Sequence, residues 1–303
     1  MAEIYRSEDG KRAVEQRYRE LLARWPVPAE HLRVPTAQGE TFVIACGPSA
    51  APPLVLLHGS ATNSAMWLTD VAGFARHFRV YAIDLVGEPG LSAPSRPDLA
   101  SGAYARWLEE VLDALDIRRT SMVAVSLGGW IALDYATRHP GKVERLALQC
   151  PGGIGPQLWG KLMVALLLKP LGRWGRARSM RLLLGPASTS VTAPAPAAAP
   201  GAMAVPATSQ AADFGDFMLL INGTFRHRMG RMPLFDDESL RRLTMPLLVI
   251  VGGRDAFLDS SGTRRRITET APHAAIRFLP DWGHYLPNQT DEITGFLTEN
   301  AHA

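Results

Sequence analysis

The sequence predicts an α/β fold in which a mostly parallel central sheet is flanked by helices and interrupted by an inserted helical cap. Three observations carry this. Short, wholly apolar runs recur at 54–57, 80–83, 122–125, 146–148, 247–251 and 276–279. They are rich in Val, Ile and Leu without polar alternation, as strands covered on both faces are. Longer segments of helical pattern separate them, which argues for strand–helix–strand crossovers. The alternation then halts between residues 153 and 243, a stretch too long for a loop.

From the N-terminus, residues 8–24 carry Val14, Tyr18, Leu21 and Leu22 at helical spacing with Arg and Glu between, and Pro26 and Pro28 end the pattern. Residues 31–46 predict a hairpin, because two strand-like runs flank Gly39, a residue free to turn at positive φ. Helices are expected at 64–76, 102–115 and 127–138. The insertion divides into an apolar and basic helical piece at 158–184, an Ala/Pro-rich piece at 186–212 and a helical piece at 214–231. The Ala/Pro-rich piece has little to bury and is expected to be flexible. Residues 1–152 and 244–303 would then form the core domain, and 153–243 the cap.

Composition bounds the function classes. With 303 residues, 47% hydrophobic and 20% charged, the chain can build a sizeable core without staples. A net charge of +3 with no nucleic-acid-binding motif argues against nucleic acid. The N-terminus is polar, with no apolar secretory region. The most apolar stretch, 162–168, is bounded by Lys161 and Lys169 and is too short to span a bilayer. A cytoplasmic protein without stable membrane insertion is expected. Cys46 and Cys150 lie far apart in apolar runs and are read as buried free thiols.

The chemistry concentrates at residues 121–131. An apolar strand runs straight into Ser126, and a helical pattern begins at once with Leu127, Gly128 and Gly129. A serine on so sharp a turn has its hydroxyl pushed out above the sheet edge. Crowding demands small neighbours, which Ala124 and Gly128 supply. The Leu127 N–H, at the start of the helix, points where an oxyanion would form. A serine hydroxyl needs an adjacent base oriented by a carboxylate. Asp255 follows the run 247–251 in a Gly-Gly-Arg-Asp turn, and His284 follows the last strand in Asp-Trp-Gly-His-Tyr. Asp259 is the main rival acid, otherwise a helix N-cap or loop residue. Asp281 is too near His284 along the chain to orient it easily.

The segment Ala124-Val125-Ser126-Leu127-Gly128 resembles the nucleophile elbow G-x-S-x-G of the α/β-hydrolase fold family, with alanine for the first glycine. The order Ser126, Asp255, His284 is that family's. The resemblance covers about residues 30–152 and 244–303. It implies a second oxyanion N–H after His58-Gly59, at Ser60 or Ala61, with His58 structural. Asp84-Leu85-Val86-Gly87-Glu88-Pro89-Gly90-Leu91-Ser92 resembles the family's D-x-x-G-x-G-x-S loop with one extra residue, and reads as a tight structural turn. The N-terminal helix, this loop and the elbow together are similar to bacterial carboxylesterase-like serine hydrolases.

The activity so implied is hydrolysis of small or medium apolar carboxylic esters through an acyl-enzyme, with no cofactor and no metal. Lactone, thioester or carbon–carbon bond hydrolysis and perhydrolysis on the same triad are alternatives, as is a non-catalytic ligand-binding member of the fold. Met66 and Trp67, after the oxyanion segment, and Leu162 and Leu166 of the insertion are candidate substrate-binding residues. Arg173, Arg176, Arg178 and Arg181 read as a solvated helix face. Activity should fall below about pH 6.5 as His284 protonates.

Overall fold

The computed structural model describes residues 4–158, 160, 164, 167–184 and 207–299. Its strands are β1 (Ala29–Thr36), β2 (Gly39–Cys46), β3 (Pro53–Leu57), β4 (Arg79–Ile83), β5 (Thr120–Val125), β6 (Val143–Gln149), β7 (Leu247–Gly252) and β8 (Ala275–Leu279). They form one sheet in the order β1-β2-β4-β3-β5-β6-β7-β8. The β1–β2 hairpin and the β2–β4 pair are antiparallel, and every other pair is parallel. The helices are α1 (Glu8–Leu22), α2 (Val71–Phe74), α3 (Ala103–Ala114), α4 (Leu127–Arg138), α5 (Gly172–Leu184), α6 (Ala207–Thr224), α7 (Asp237–Arg241), α8 (Ser260–Thr270) and α9 (Thr290–Thr298).

Alternate residues of each central strand feed opposite faces, as the twofold period of a strand requires. Val55, Leu57, Met122, Ala124, Leu146, Leu148, Val249 and Val251 join one apolar cluster with Trp107 and Tyr135 from α3 and α4. Leu54, Leu56, Val123, Ala147, Leu248 and Ile250 join the other with Tyr18 of α1 and Phe74 of α2. Each such Leu or Ile, removed wholly from water, contributes roughly 1.5–3 kcal/mol. The continuous apolar runs of the sequence are thus explained by helices on both sides. The run at 276–279 is different. In β8, at the sheet edge, every residue keeps some exposure, because a strand neighbours it on one side alone.

Two helical expectations are revised. Residues 64–76 do not form one helix: a 3-10 turn at Ser64–Trp67 is followed by the short α2. The Asn63 side chain caps the first turn by accepting from the Ala65 N–H at 3.1 Å. Asp70 starts the second with its carboxylate drawn off to Thr290 at 2.6 Å and Asn288 at 3.0 Å. The helix expected over 214–231 instead begins at Ala207 and stops at Thr224. Beyond it Phe225 bridges Tyr5, and Arg226 N–H donates to Ile4 O at 2.8 Å, so the N-terminal segment takes up backbone groups a longer helix would use. The last residues of the Ala/Pro-rich piece, 207–212, belong to this helix, consistent with their alanine content. The rest of that piece lies outside the described residues.

Candidate active site

Ser126 stands between β5 and α4 with φ of +52° and ψ of −108°, a conformation that L-residues rarely adopt. Such strain costs on the order of 1–3 kcal/mol and must be held by its surroundings. Here the Ser126 N–H donates to Gln149 O, and the Ser126 carbonyl accepts from Trp130 and Gly152 N–H, all at 3.0 Å. Gly128 lies against β3 so closely that a Cβ would fall 2.4 Å from Leu57 O and 2.5 Å from His58 O. Ala124 is fully buried, so a methyl fits where the resembling motif has glycine.

His284 reaches Ser126 because β8 lies beside β7 in parallel register, with Leu279 opposite Gly252. Beyond that pair the two loops stay zipped. Gly253 N–H donates to Leu279 O and Arg254 N–H to Trp282 O, both at 2.8 Å. Gly252 permits the approach, since a Cβ there would meet Gly283 O at 2.1 Å. The result is a continuous line of hydrogen bonds. His284 Nε2 lies 3.0 Å from Ser126 Oγ, and His284 Nδ1 lies 2.7 Å from Asp255 Oδ2. Asp255 Oδ1 accepts from the Phe257 and Leu258 N–H groups at 2.7 and 3.1 Å, which fixes the carboxylate.

The electrostatics follow from the packing. Burial acts to raise the Asp255 carboxyl, but His284 and the two backbone donors outweigh it and hold the group below the usual carboxylate range. Burial likewise acts to lower His284, yet the Asp255 charge and hydrogen bond prevail and raise it above the ordinary imidazole value. The Phe257 ring packs on the imidazole with centroids 4.8 Å apart. Cys150, at the end of β6, is buried with its thiol pushed up by that burial. Its Sγ, an Asp255 oxygen and a His284 nitrogen lie within 4.8 Å of one another. A metal there would have to displace the Nδ1–carboxylate hydrogen bond, so the arrangement fits a proton-transfer site better than a ligand set. Cys46 and Cys150 are unlinked and buried.

Gly59, after β3, sits beside the nucleophile, 3.6 Å from Ser126 Cβ to an ideal Cβ of its own. Among the described residues neither Leu127 N–H nor Ser60 N–H has a hydrogen-bond partner. The Ala61 N–H is engaged, donating to Glu88 Oε2 at 2.6 Å. Of the two positions after His58-Gly59, only Ser60 therefore has a free donor. His58 is buried, accepts the Leu85 N–H at Nε2 and carries its own proton toward Gly59 O, a structural pattern. Asp84 Oδ1 accepts from Tyr18, Ser64 N–H and Ser64 Oγ, and its Oδ2 from Leu91 N–H, which makes the turn.

The rival acids have other duties. Asp259 caps α8 by accepting from Gly262 N–H at 2.9 Å, and Asp281 pairs at the surface with Arg254 at 2.7 Å. Trp67 is 2% exposed and lies within the second apolar cluster. Met66 keeps partial exposure. Leu162 and Leu166 lie outside the described residues. Sequence reasoning missed Phe257, Cys150 and Glu88 as neighbours of the site. Phe257 carried no signal of its own, and Cys150 was read only as a buried free thiol.

A family model described as alpha/beta hydrolase fold matches residues 52–287. Over 136 residues the chain is 39% identical to an uncharacterized carboxylesterase, nap, and 37% identical to carboxylesterase YbfK, both of Bacillus subtilis. Each alignment covers 45% of this chain and 45% or 46% of the relative, so the chain spans about half the length of the curated relatives it matches. The solved structure of naproxen esterase (carboxylesterase NP) from Bacillus subtilis superposes with a TM-score of 0.78 at 25% identity, covering 96% of this chain and 99% of that one. Among the described residues no helix is long and apolar enough to cross a membrane.

Proposed function

The chain belongs to the α/β-hydrolase fold family, and from that premise we propose that it hydrolyses carboxylic esters with Ser126 as nucleophile, His284 as base and Asp255 as the orienting acid. The observation that carries this is the unbroken hydrogen-bond line from Ser126 Oγ through the imidazole to Asp255. His284 takes the serine proton as Oγ attacks the ester carbonyl. Asp255 holds the ring in the tautomer that leaves Nε2 free and steadies the imidazolium. The N–H groups of Leu127 and Ser60 meet the developing oxyanion, the largest expected share of the rate gain. His284 then passes the proton to the departing alkoxide, and water repeats the sequence on the acyl-enzyme.

Apolar esters of small or medium size are the proposed substrates. Support comes from the Phe257 ring on the imidazole, from Leu158, whose N–H donates to Phe257 O, and from Tyr285, next to His284 in the chain, the last two 38% and 37% exposed; Met66, partly exposed, is proposed on sequence grounds. Leu162 and Leu166 are proposed, on sequence grounds, to extend the same surface. The test is a panel of p-nitrophenyl esters from acetate to laurate, with labelling by a fluorophosphonate. Turnover and labelling are expected in the native chain and neither in Ser126→Ala. A native chain that does neither, or a Ser126→Ala variant that still turns over, overturns the reading.

A further inference from the structure

We propose that Glu88 is a positioning residue for the oxyanion hole, acting through the Ser60–Ala61 segment. The inference rests on the ester-hydrolase reading and extends it to a residue outside the triad. Glu88 is fully buried in the loop after β4, where a tight turn needs no carboxylate. Its Oε2 accepts the Ala61 N–H at 2.6 Å and lies 3.3 Å from the donating Ser60 hydroxyl. Both partners belong to the segment that supplies the second oxyanion donor.

The geometry gives this contact a task. Ala61 has φ of +57°, a left-handed backbone that a residue with a Cβ adopts only when its surroundings hold it there. The buried Glu88 carboxyl group holds it by accepting the Ala61 N–H at 2.6 Å. With the Ala61 N–H committed to Glu88, the preceding N–H of Ser60 is the donor left to the reacting carbonyl. The two loops are tied at further points, by Asn63 Nδ2 to Pro89 O at 2.8 Å and by Leu85 N–H to His58 at 2.9 Å. Those ties fix the loops to each other. His58 Nδ1 holds Gly59 O at 2.8 Å on one side of the Ser60 donor, and Glu88 holds the Ala61 N–H on the other.

Two anchored guanidinium groups act on Glu88 through their charge, while its Oε1 has no hydrogen-bond partner among the described residues. Arg96 Nε donates to Gly87 O at 2.8 Å, and Arg228 is held by Tyr104 Oη at 2.6 Å and Pro97 O at 3.2 Å. Burial raises the Glu88 carboxyl above the usual carboxylate range, and the Ala61 N–H and the charges of Arg96 and Arg228 offset that only in part. A residue present only to fill the turn would require none of this.

The experiment compares Glu88→Met, of similar length but without an acceptor, with Glu88→Gln, which keeps one. Readouts are kcat and KM on the best p-nitrophenyl ester, and the affinity of a trifluoromethyl ketone, whose adduct with Ser126 carries an oxyanion, against that of the matching alcohol. A displacement of the donor by about 1 Å costs on the order of 100-fold. Glu88→Met is therefore expected to lose about 100-fold in kcat and in ketone affinity, with KM and alcohol affinity within about twofold. Glu88→Gln should restore most of the loss. Unchanged kcat in Glu88→Met, or equal damage to kcat and KM in both variants, overturns the proposal. Should Glu88→Met fail to fold, Glu88→Asp keeps the carboxyl group but withdraws it from Ala61. It must show the same selective loss, and native kcat in that variant is equally decisive against the proposal. Ketone binding reports on the hole whichever esters are turned over, so a native chain inert toward esters sinks the functional reading, while unchanged ketone affinity in Glu88→Met sinks this one.

Discussion

At the scale of single residues, the balance at His284 sets the pH behaviour. Desolvation disfavours the imidazolium, but Asp255 at 2.7 Å favours it more, so the folded-state value stands above the ordinary one. A protonated imidazole cannot accept the serine proton, and activity is lost as pH falls through that raised value. The acid limb of kcat/KM is therefore expected at higher pH than the roughly 6.5 of an unperturbed histidine. Asp255→Asn removes the charge. It should lower kcat by about 10³–10⁴-fold and move the limb toward acid, as a pH–rate series on both proteins would reveal. A limb at the same pH in both would mean that Asp255 does not set the base. The elbow makes a second, purely steric prediction. Gly128→Ala drives a Cβ into two backbone carbonyls of the β3 end, which cannot yield as a side chain can. A stability loss of about 1–3 kcal/mol or more by urea unfolding is expected, with activity falling as the elbow shifts.

At the scale of elements, what could be read from the chain was what local pattern encodes. The strands at 54–57, 122–125 and 247–251 were legible because burial on both faces leaves only apolar residues, and the elbow because crowding leaves only small ones. The break in the helix expected at 64–76 was not legible. It depends on Thr290 and Asn288, over two hundred residues away, drawing the Asp70 carboxylate. The grip of Glu88 on Ala61 was invisible for the same reason: a turn motif explains its neighbours without saying where its carboxylate points. Asp84 is the clearest element-scale hub, since it joins α1, the segment after β3 and its own turn by accepting from Tyr18, Ser64 and Leu91. Asp84→Ala leaves those buried donors unpaired, at about 1–3 kcal/mol for each donor group. It should lower stability severely without touching the triad. A melting temperature near that of the native chain would show the hub to be dispensable.

At the scale of the whole molecule, the insertion and the N-terminal helix depend on each other, which neither pattern announced. The period of α1 marked Tyr18 as buried but not its partners. In the fold Tyr18 stacks on Phe217 of α6 with centroids 6.2 Å apart, and its hydroxyl meets Asp84 at 2.8 Å. α6, α1 and the segments after β3 and β4 thus share one column of contacts. Two kinds of force cross the same α1–α6 interface. Arg17 and Arg24 pair with Asp213 at 3.0 and 2.6 Å, all three side chains about a third exposed, while Phe217 is 1% exposed. Water screens the first kind and cannot reach the second. Asp213→Ala should cost less than about 1 kcal/mol, a loss that shrinks further in molar salt. Phe217→Ala should cost about 3–5 kcal/mol at any ionic strength, because the cavity it leaves is walled by Tyr18 and cannot collapse freely. Urea unfolding of both variants at low and high salt separates the two. If Asp213→Ala proves the costlier, charge and not apolar packing holds the insertion to the core.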